Sequence, residues 1–87
     1  MRNDYNEKLE KFNGIVLTWH FPNGYGASVI KHDYSYGGSD GLWEGAVLHH
    51  DMLCYDTPIT DDVIGYMNCF EVDKFLNTIE ALPEKTS

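Results

Sequence analysis

Apolar residues along the chain cluster with two different periods. Ile15-Val16-Leu17-Thr18-Trp19-His20-Phe21 follows the turn signal Asn13-Gly14 and is rich in β-branched and aromatic residues, so it reads as a strand. Pro22-Asn23-Gly24-Tyr25 comes next, with Asn-Gly where a type I′ hairpin wants it, and the returning strand runs from Gly26 to about His32. A two-residue turn at Asn23-Gly24 sets His20 opposite Ala27, Thr18 opposite Val29 and Val16 opposite Lys31. That register places Ile15, Leu17, Trp19, Phe21 and Ile30 on the core side. It leaves Val16, Thr18, His20, Val29 and Lys31 on a more polar outer side.

A third strand is expected from Leu42 to about His49 and a fourth from Met52 to Asp56, with His50-Asp51 at the turn. No glycine pins that second turn, so the pattern assigns no faces there. Between the hairpins, Asp33-Tyr34-Ser35-Tyr36-Gly37-Gly38-Ser39-Asp40-Gly41 is a loop. Thr57-Pro58 ends the sheet, and Thr60 caps a short turn with Asp61 and Asp62 in its first positions. The period then changes. Val72, Phe75, Leu76, Ile79 and Leu82 form one helical stripe, opened by Asn68 and Glu71 as a capping box and stopped by Pro83. Residues 1–12 are polar and mixed in charge; Tyr5, Leu9 and Phe12 fit a short docked N-terminal helix, and a frayed arm fits as well. The expectation is one α+β domain over residues 1–87: a four-stranded antiparallel sheet of two hairpins, a C-terminal helix on one face, and a tail at 84–87.

Eighty-seven residues bury roughly 60–65% of the unfolded chain's surface, enough for one modest core. Two Trp, six Tyr and four Phe suit a small core or an interface. No apolar run approaches the roughly 20 residues of a membrane span, and Met1-Arg2-Asn3-Asp4 does not resemble a signal peptide. A soluble protein of the cytoplasm is expected. Cys54 and Cys69 belong to no Cys-x-x-Cys pair, and two thiols fit a reducing compartment better than a bridge does.

Charge changes the picture more. Between Lys31 and Lys74 lie Asp33, Asp40, Glu44, Asp51, Asp56, Asp61, Asp62, Glu71 and Asp73, with no Lys or Arg, so this segment carries essentially the whole net charge of −8. Such a surface repels nucleic acid and attracts basic protein surfaces. Asp61, Asp62 and Glu71 have duties at helix starts and Asp51 at a turn. The remaining carboxylates, Asp33, Asp40, Glu44 and Asp56, interleave with Tyr34, Tyr36 and Trp43. Rigid rings as anchors and carboxylates to pair with Arg or Lys make a partner-binding patch.

Other chemistry finds little support. His20, His32, His49 and His50, with Asp51 and Cys54, invite a zinc site, which needs four converging ligands. His49 and His50 project to opposite sides of a strand, and His20 and His32 fall on opposite faces of the predicted hairpin. Ser28, Ser35, Ser39, Cys54 and Cys69 stand in no nucleophile context. Tyr36-Gly37-Gly38-Ser39 lacks the Lys of a phosphate loop, and Asp56, Asp61 and Asp62 do not follow calcium-loop spacing. No catalytic residue, metal or cofactor is expected.

Three stretches carry a resemblance. Gly24-Tyr25-Gly26-Ala27-Ser28-Val29-Ile30 is the first; Ser35-Tyr36-Gly37-Gly38 with Gly41-Leu42-Trp43-Glu44 is the second. Tyr55-Asp56-Thr57-Pro58-Ile59-Thr60-Asp61-Asp62-Val63-Ile64-Gly65-Tyr66 is the third and most distinctive. Together they resemble a family of small uncharacterised bacteriophage proteins, while His49-His50-Asp51 departs from that pattern. The resemblance implies an accessory protein made in the cytoplasm of an infected bacterium and transfers no functional residue. The expected partner is a host protein with a basic surface, in a nucleic-acid-handling or defence complex. The analogy to anti-CRISPR and anti-restriction proteins is one of charge. Two alternatives stand beside it: a small-ligand binder or enzyme using the Tyr36/Trp43 loop, and a structural or self-associating protein using strand edges with Val16 and Val29. A monomer and a homodimer both fit.

Overall fold

The computed structural model describes residues 1–11, 13–49, 52–53 and 63–83. Its strands are β1 (Glu7–Lys11), β2 (Gly14–His20), β3 (Tyr25–Lys31), β4 (Trp43–His49), β5 (Met52–Leu53) and β6 (Ile64–Met67), followed by helix α1 (Cys69–Glu80). The fold is α+β, as expected, but the sheet is larger than two hairpins. It is antiparallel in the order β1-β2-β3-β4-β5, and β6 also pairs with β4. Since β3 takes one edge of β4, β5 and β6 share the other.

The N-terminal expectation is corrected. Residues 7–11 are neither helix nor arm but an edge strand paired with β2, Glu7 opposite Thr18 and Lys11 opposite Gly14. Ahead of it, Asn6 donates its N–H to the Thr18 carbonyl (2.8 Å) and accepts the His20 N–H at Oδ1 (2.7 Å). Arg2 forks onto Asp4 (2.6 and 3.0 Å), donates to Asn77 (2.9 Å) and Glu80 (3.0 Å) on α1, and lies 5.4 Å over the Phe21 ring. Trp19 donates its indole N–H to Asp4 (3.0 Å). The Arg2 and Trp19 hydrogen bonds hold the Asp4 carboxyl down at about 2, and Asp4 and Glu80 raise Arg2 above its ordinary range. Leu9 and Tyr5 gave a helical spacing because an edge strand with polar residues on both faces shows no clean alternation.

The register of the β2–β3 hairpin is also corrected, by one residue. Trp19 faces Ala27, Leu17 faces Val29 and Val16 faces Ile30. The loop has three residues. Phe21 pairs with Tyr25 (2.8 Å), its carbonyl accepts the Gly24 N–H (3.2 Å), and Gly24 has φ 85. Pro22, fixed at negative φ, suits the first central position of a type I turn, and glycine supplies the left-handed residue after it. Val29 therefore belongs to the core and Ile30 to the outer face, the reverse of the expectation. The outer row across the sheet is Leu9, Val16, Ile30 and Glu44.

On the other face the core gathers Leu17, Trp19, Phe21, Ala27 and Val29 with Trp43, Val47 and Met67 under Val72, Phe75, Leu76 and Ile79. The helical stripe and capping box are as expected: Asn68 accepts the Glu71 N–H (2.9 Å), and Glu71 accepts the Asn68 N–H (3.0 Å). At the other end of α1 the Asn23 amide reaches the carbonyls of Ile79 (2.9 Å), Glu80 (3.2 Å) and Leu82 (2.9 Å). Of the expected fourth strand only β5 is described, with Leu48 opposite Leu53 and His49 opposite Met52, and the expected turn at His50-Asp51 lies outside the described residues. The expected turn at Thr60, with Asp61 and Asp62, and the tail at 84–87 lie outside the described residues, as do Phe12, Cys54 and Asp56.

Candidate functional site

The loop from His32 to Leu42 is held by its own backbone. Ser35 Oγ accepts the His32 N–H (3.0 Å) and donates to the His32 carbonyl (2.9 Å), while Tyr34 donates its N–H to His32 Nδ1 (3.0 Å). A single 3-10 turn over Gly38–Asp40 is bracketed by Gly37 and Gly41, both left-handed, and the Gly37 carbonyl accepts the N–H groups of Asp40 (3.0 Å) and Leu42 (2.9 Å). Glycine at position 37 serves two needs, a φ of 89 and close approach: a Cβ there would stand 2.8 Å from Tyr66 Cα.

The loop is also tied to the sheet through Tyr36. Its N–H donates to Glu44 Oε1 (3.2 Å), and its carbonyl accepts the N–H of Tyr66 (3.1 Å). Beside that contact β6 bulges. Trp43 pairs with Met67 and Gly45 with Ile64, so three steps on β6 match two on β4. A bulge bends its strand and re-aims a side chain, and here Tyr66 takes φ 58, a conformation that costs a bulky residue. Gly65 accommodates the approach, since a Cβ on it would lie 2.5 Å from Tyr36 Cβ. Tyr66 ends 58% exposed, beside Tyr36 at 61%.

The expected site residues divide accordingly. Asp33, Tyr34, Tyr36 and Asp40 are exposed, Tyr34 by 87%. Glu44 is half-buried with one carboxylate oxygen used by Tyr36. Trp43 is a correction: its ring is 6% exposed in the core, and the Lys31 ammonium sits 4.6 Å over it, so it is not an exposed anchor. Asp56 lies outside the described residues.

Comparison with known proteins brings no match to this chain among family models, curated proteins or solved structures.

Two aromatic residues escaped the sequence reading. Tyr66 was signalled by Gly65 within a short apolar run, a mark of a bulge. Phe70, 87% exposed at the start of α1, was signalled by falling off the stripe that buries Val72, Phe75, Leu76 and Ile79. Two apolar clefts among the described residues flank α1 and lie elsewhere. One, of about 300 Å³, is lined by Ile64, Met67, Glu71, Lys74, Phe75 and Thr78; the other follows the outer face of α1 from Phe70 to Leu82. Neither includes Tyr36 or Trp43.

Among the described residues no three His, Cys, Asp or Glu side chains group as metal ligands would. The register shift removes the opposite-face argument for His20 and His32. Distance along the hairpin separates them instead, His20 pairing with Gly26 near the turn and His32 following the far end of β3. His49 packs against Tyr25 with ring centroids 5.2 Å apart. The Cys69 thiol is exposed on the first turn of α1. No helix of the described residues is long and apolar enough to cross a membrane.

Proposed function

We propose that this chain is a non-enzymatic binding protein whose loop surface, Asp33 to Glu44, engages a basic surface of a protein in the bacterial host. In that reading it is a phage accessory protein that inhibits a nucleic-acid-handling or defence complex by presenting carboxylates where phosphates would sit. One observation carries the proposal. Tyr34 and Tyr36 stand in solvent on a loop whose backbone is bonded from both sides, flanked by Asp33 and Asp40, with no Lys or Arg from residue 32 to 73. Rings carried on a backbone already held in place supply contact area without the cost of ordering the loop, and carboxylates of one sign choose the partner's charge. The burial of Trp43 removes the second ring that a Tyr36/Trp43 ligand pocket would use.

The test is capture from host extract with the wild type and an Asp33→Asn/Asp40→Asn variant, followed by reconstitution with the purified partner. Binding is expected to weaken by about tenfold or more between low and high salt, because exposed charges are screened within a Debye length. An affinity unchanged by salt overturns the charge-mimicry reading.

A further inference from the structure

The loop surface suits one basic side chain better than the other. We propose that Tyr34, Tyr36 and Tyr66 form an arginine-selective surface, so that the partner's anchoring residues are arginines rather than lysines; this rests on the basic-partner reading above.

The first support is the set of rings. Tyr34, Tyr36 and Tyr66 are 87%, 61% and 58% exposed, and Tyr66 is brought to Tyr36 by the bulge in β6 rather than by proximity in sequence. A guanidinium is planar and weakly hydrated, so it stacks on a ring face while its N–H fork still reaches a carboxylate. An ammonium is compact and strongly hydrated, and gives up more to leave water for a ring. The second support is the arrangement of acids around the rings. Asp33 and Asp40 are exposed on the same loop as Tyr34 and Tyr36, and Glu44 accepts the Tyr36 N–H at 3.2 Å. Rings and carboxylates carried on one loop supply the two kinds of group that an arginine uses.

The chain already contains this recognition in another place. Arg2 lies 5.4 Å over the Phe21 ring and forks onto Asp4 with contacts of 2.6 and 3.0 Å. Lys31 covers Trp43, so that ring is filled from within, whereas the rings of Tyr34, Tyr36 and Tyr66 are open to a partner.

The experiment titrates the full chain with nona-arginine and nona-lysine peptides at equal ionic strength, by calorimetry and by backbone amide shifts. Circular dichroism checks that a Tyr34→Leu/Tyr36→Leu variant keeps its fold, and Tyr34→Phe/Tyr36→Phe restores the rings without the hydroxyls. The expected result is binding about threefold to tenfold tighter to the arginine peptide, the sum of modest ring contacts at exposed positions. Shifts should centre on residues 33–44 and 65–66. The preference should fall towards unity in the leucine variant and return in the phenylalanine one. Equal affinity for the two peptides overturns arginine selectivity and leaves the basic-partner reading standing. Binding of neither peptide at low salt overturns both. An arginine preference that the leucine variant retains overturns the assignment to these tyrosines.

Discussion

At the scale of single residues, Tyr66 combines two features that work against each other in a protein selected only for stability. Its φ of 58 is a conformation that glycine adopts freely and a tyrosine adopts at a cost of about 1–2 kcal/mol. Its ring is 58% exposed, so burial returns only part of that cost. Tyr66→Gly relieves the backbone but gives glycine more freedom to lose on folding, an opposing term of about 0.5–1 kcal/mol. The expected outcome is therefore a stability unchanged or raised by up to about 1 kcal/mol in urea unfolding. A loss clearly larger than that would show that the ring's packing, and not its presentation, is why tyrosine stands there. The same substitution should weaken the arginine peptide's binding, so stability and binding would move in opposite directions.

At the scale of elements, the hairpin turn and the helix are one device. Asn23 accepts the Tyr25 N–H at Oδ1 (3.0 Å), and its amide meets the carbonyls of Ile79, Glu80 and Leu82 at and just beyond the end of α1, where a helix leaves carbonyls without intrahelical partners. That of Ile79 also accepts the Leu82 N–H (3.1 Å). Asn23→Ala should cost about 1–2 kcal/mol, from lost hydrogen bonds and unpaired carbonyls. Asn23→Asp should cost more, because a carboxylate cannot donate and would face the negative end of the helix. Urea unfolding ranks the two. If Asp proves no worse than Ala, the amide is not what closes the helix.

That contact also accounts for the one-residue difference between the expected and observed register of the β2–β3 hairpin. Asn23-Gly24 is a genuine hairpin signal, but Asn23 is committed to α1 and Pro22 starts the turn one residue earlier. No local pattern reveals a commitment made across 56 residues. What was legible had strong local causes: the β-branched run of β2, the capping box at Asn68 and the apolar stripe of α1. Within the candidate site, the exposed tyrosines and aspartates of the loop could be read because they sit in one stretch. Trp43 was misplaced because its face depends on the pairing of β4, which no turn residue declared. Tyr66 was missed because its neighbour, Tyr36, is thirty residues away, and only the bulge brings them together.

At the scale of the whole molecule, two kinds of charge are kept at opposite ends of β3. The loop of Asp33 and Asp40 follows its C-terminal end, while the cluster of Arg2, Asp4 and Glu80 lies by Phe21, beyond its N-terminal end. The first set faces solvent and contributes self-repulsion; the second is paired and contributes attraction. Protonating Asp4 removes an ion pair. Its folded-state pKa lies at about 2, below the ordinary 3.8, so the folded chain binds its proton less readily than the unfolded chain does. That stabilisation is fully present above pH 4 or so and is lost as the pH falls from about 4 towards 2. Because Asp4 is more than half exposed, solvent screening holds the contribution to about 1 kcal/mol or less. Comparing wild type with Asp4→Asn isolates it, since the remaining carboxylates cancel between the two proteins. The thermal midpoint of the wild type should exceed that of the variant by a constant few degrees from pH 5 to 7, and the two should converge as the pH approaches 2. A gap that persists undiminished at pH 2 would mean that Asp4 acts through its hydrogen bond from Trp19 and its packing, and that the fork to Arg2 adds nothing to holding β1 on the sheet.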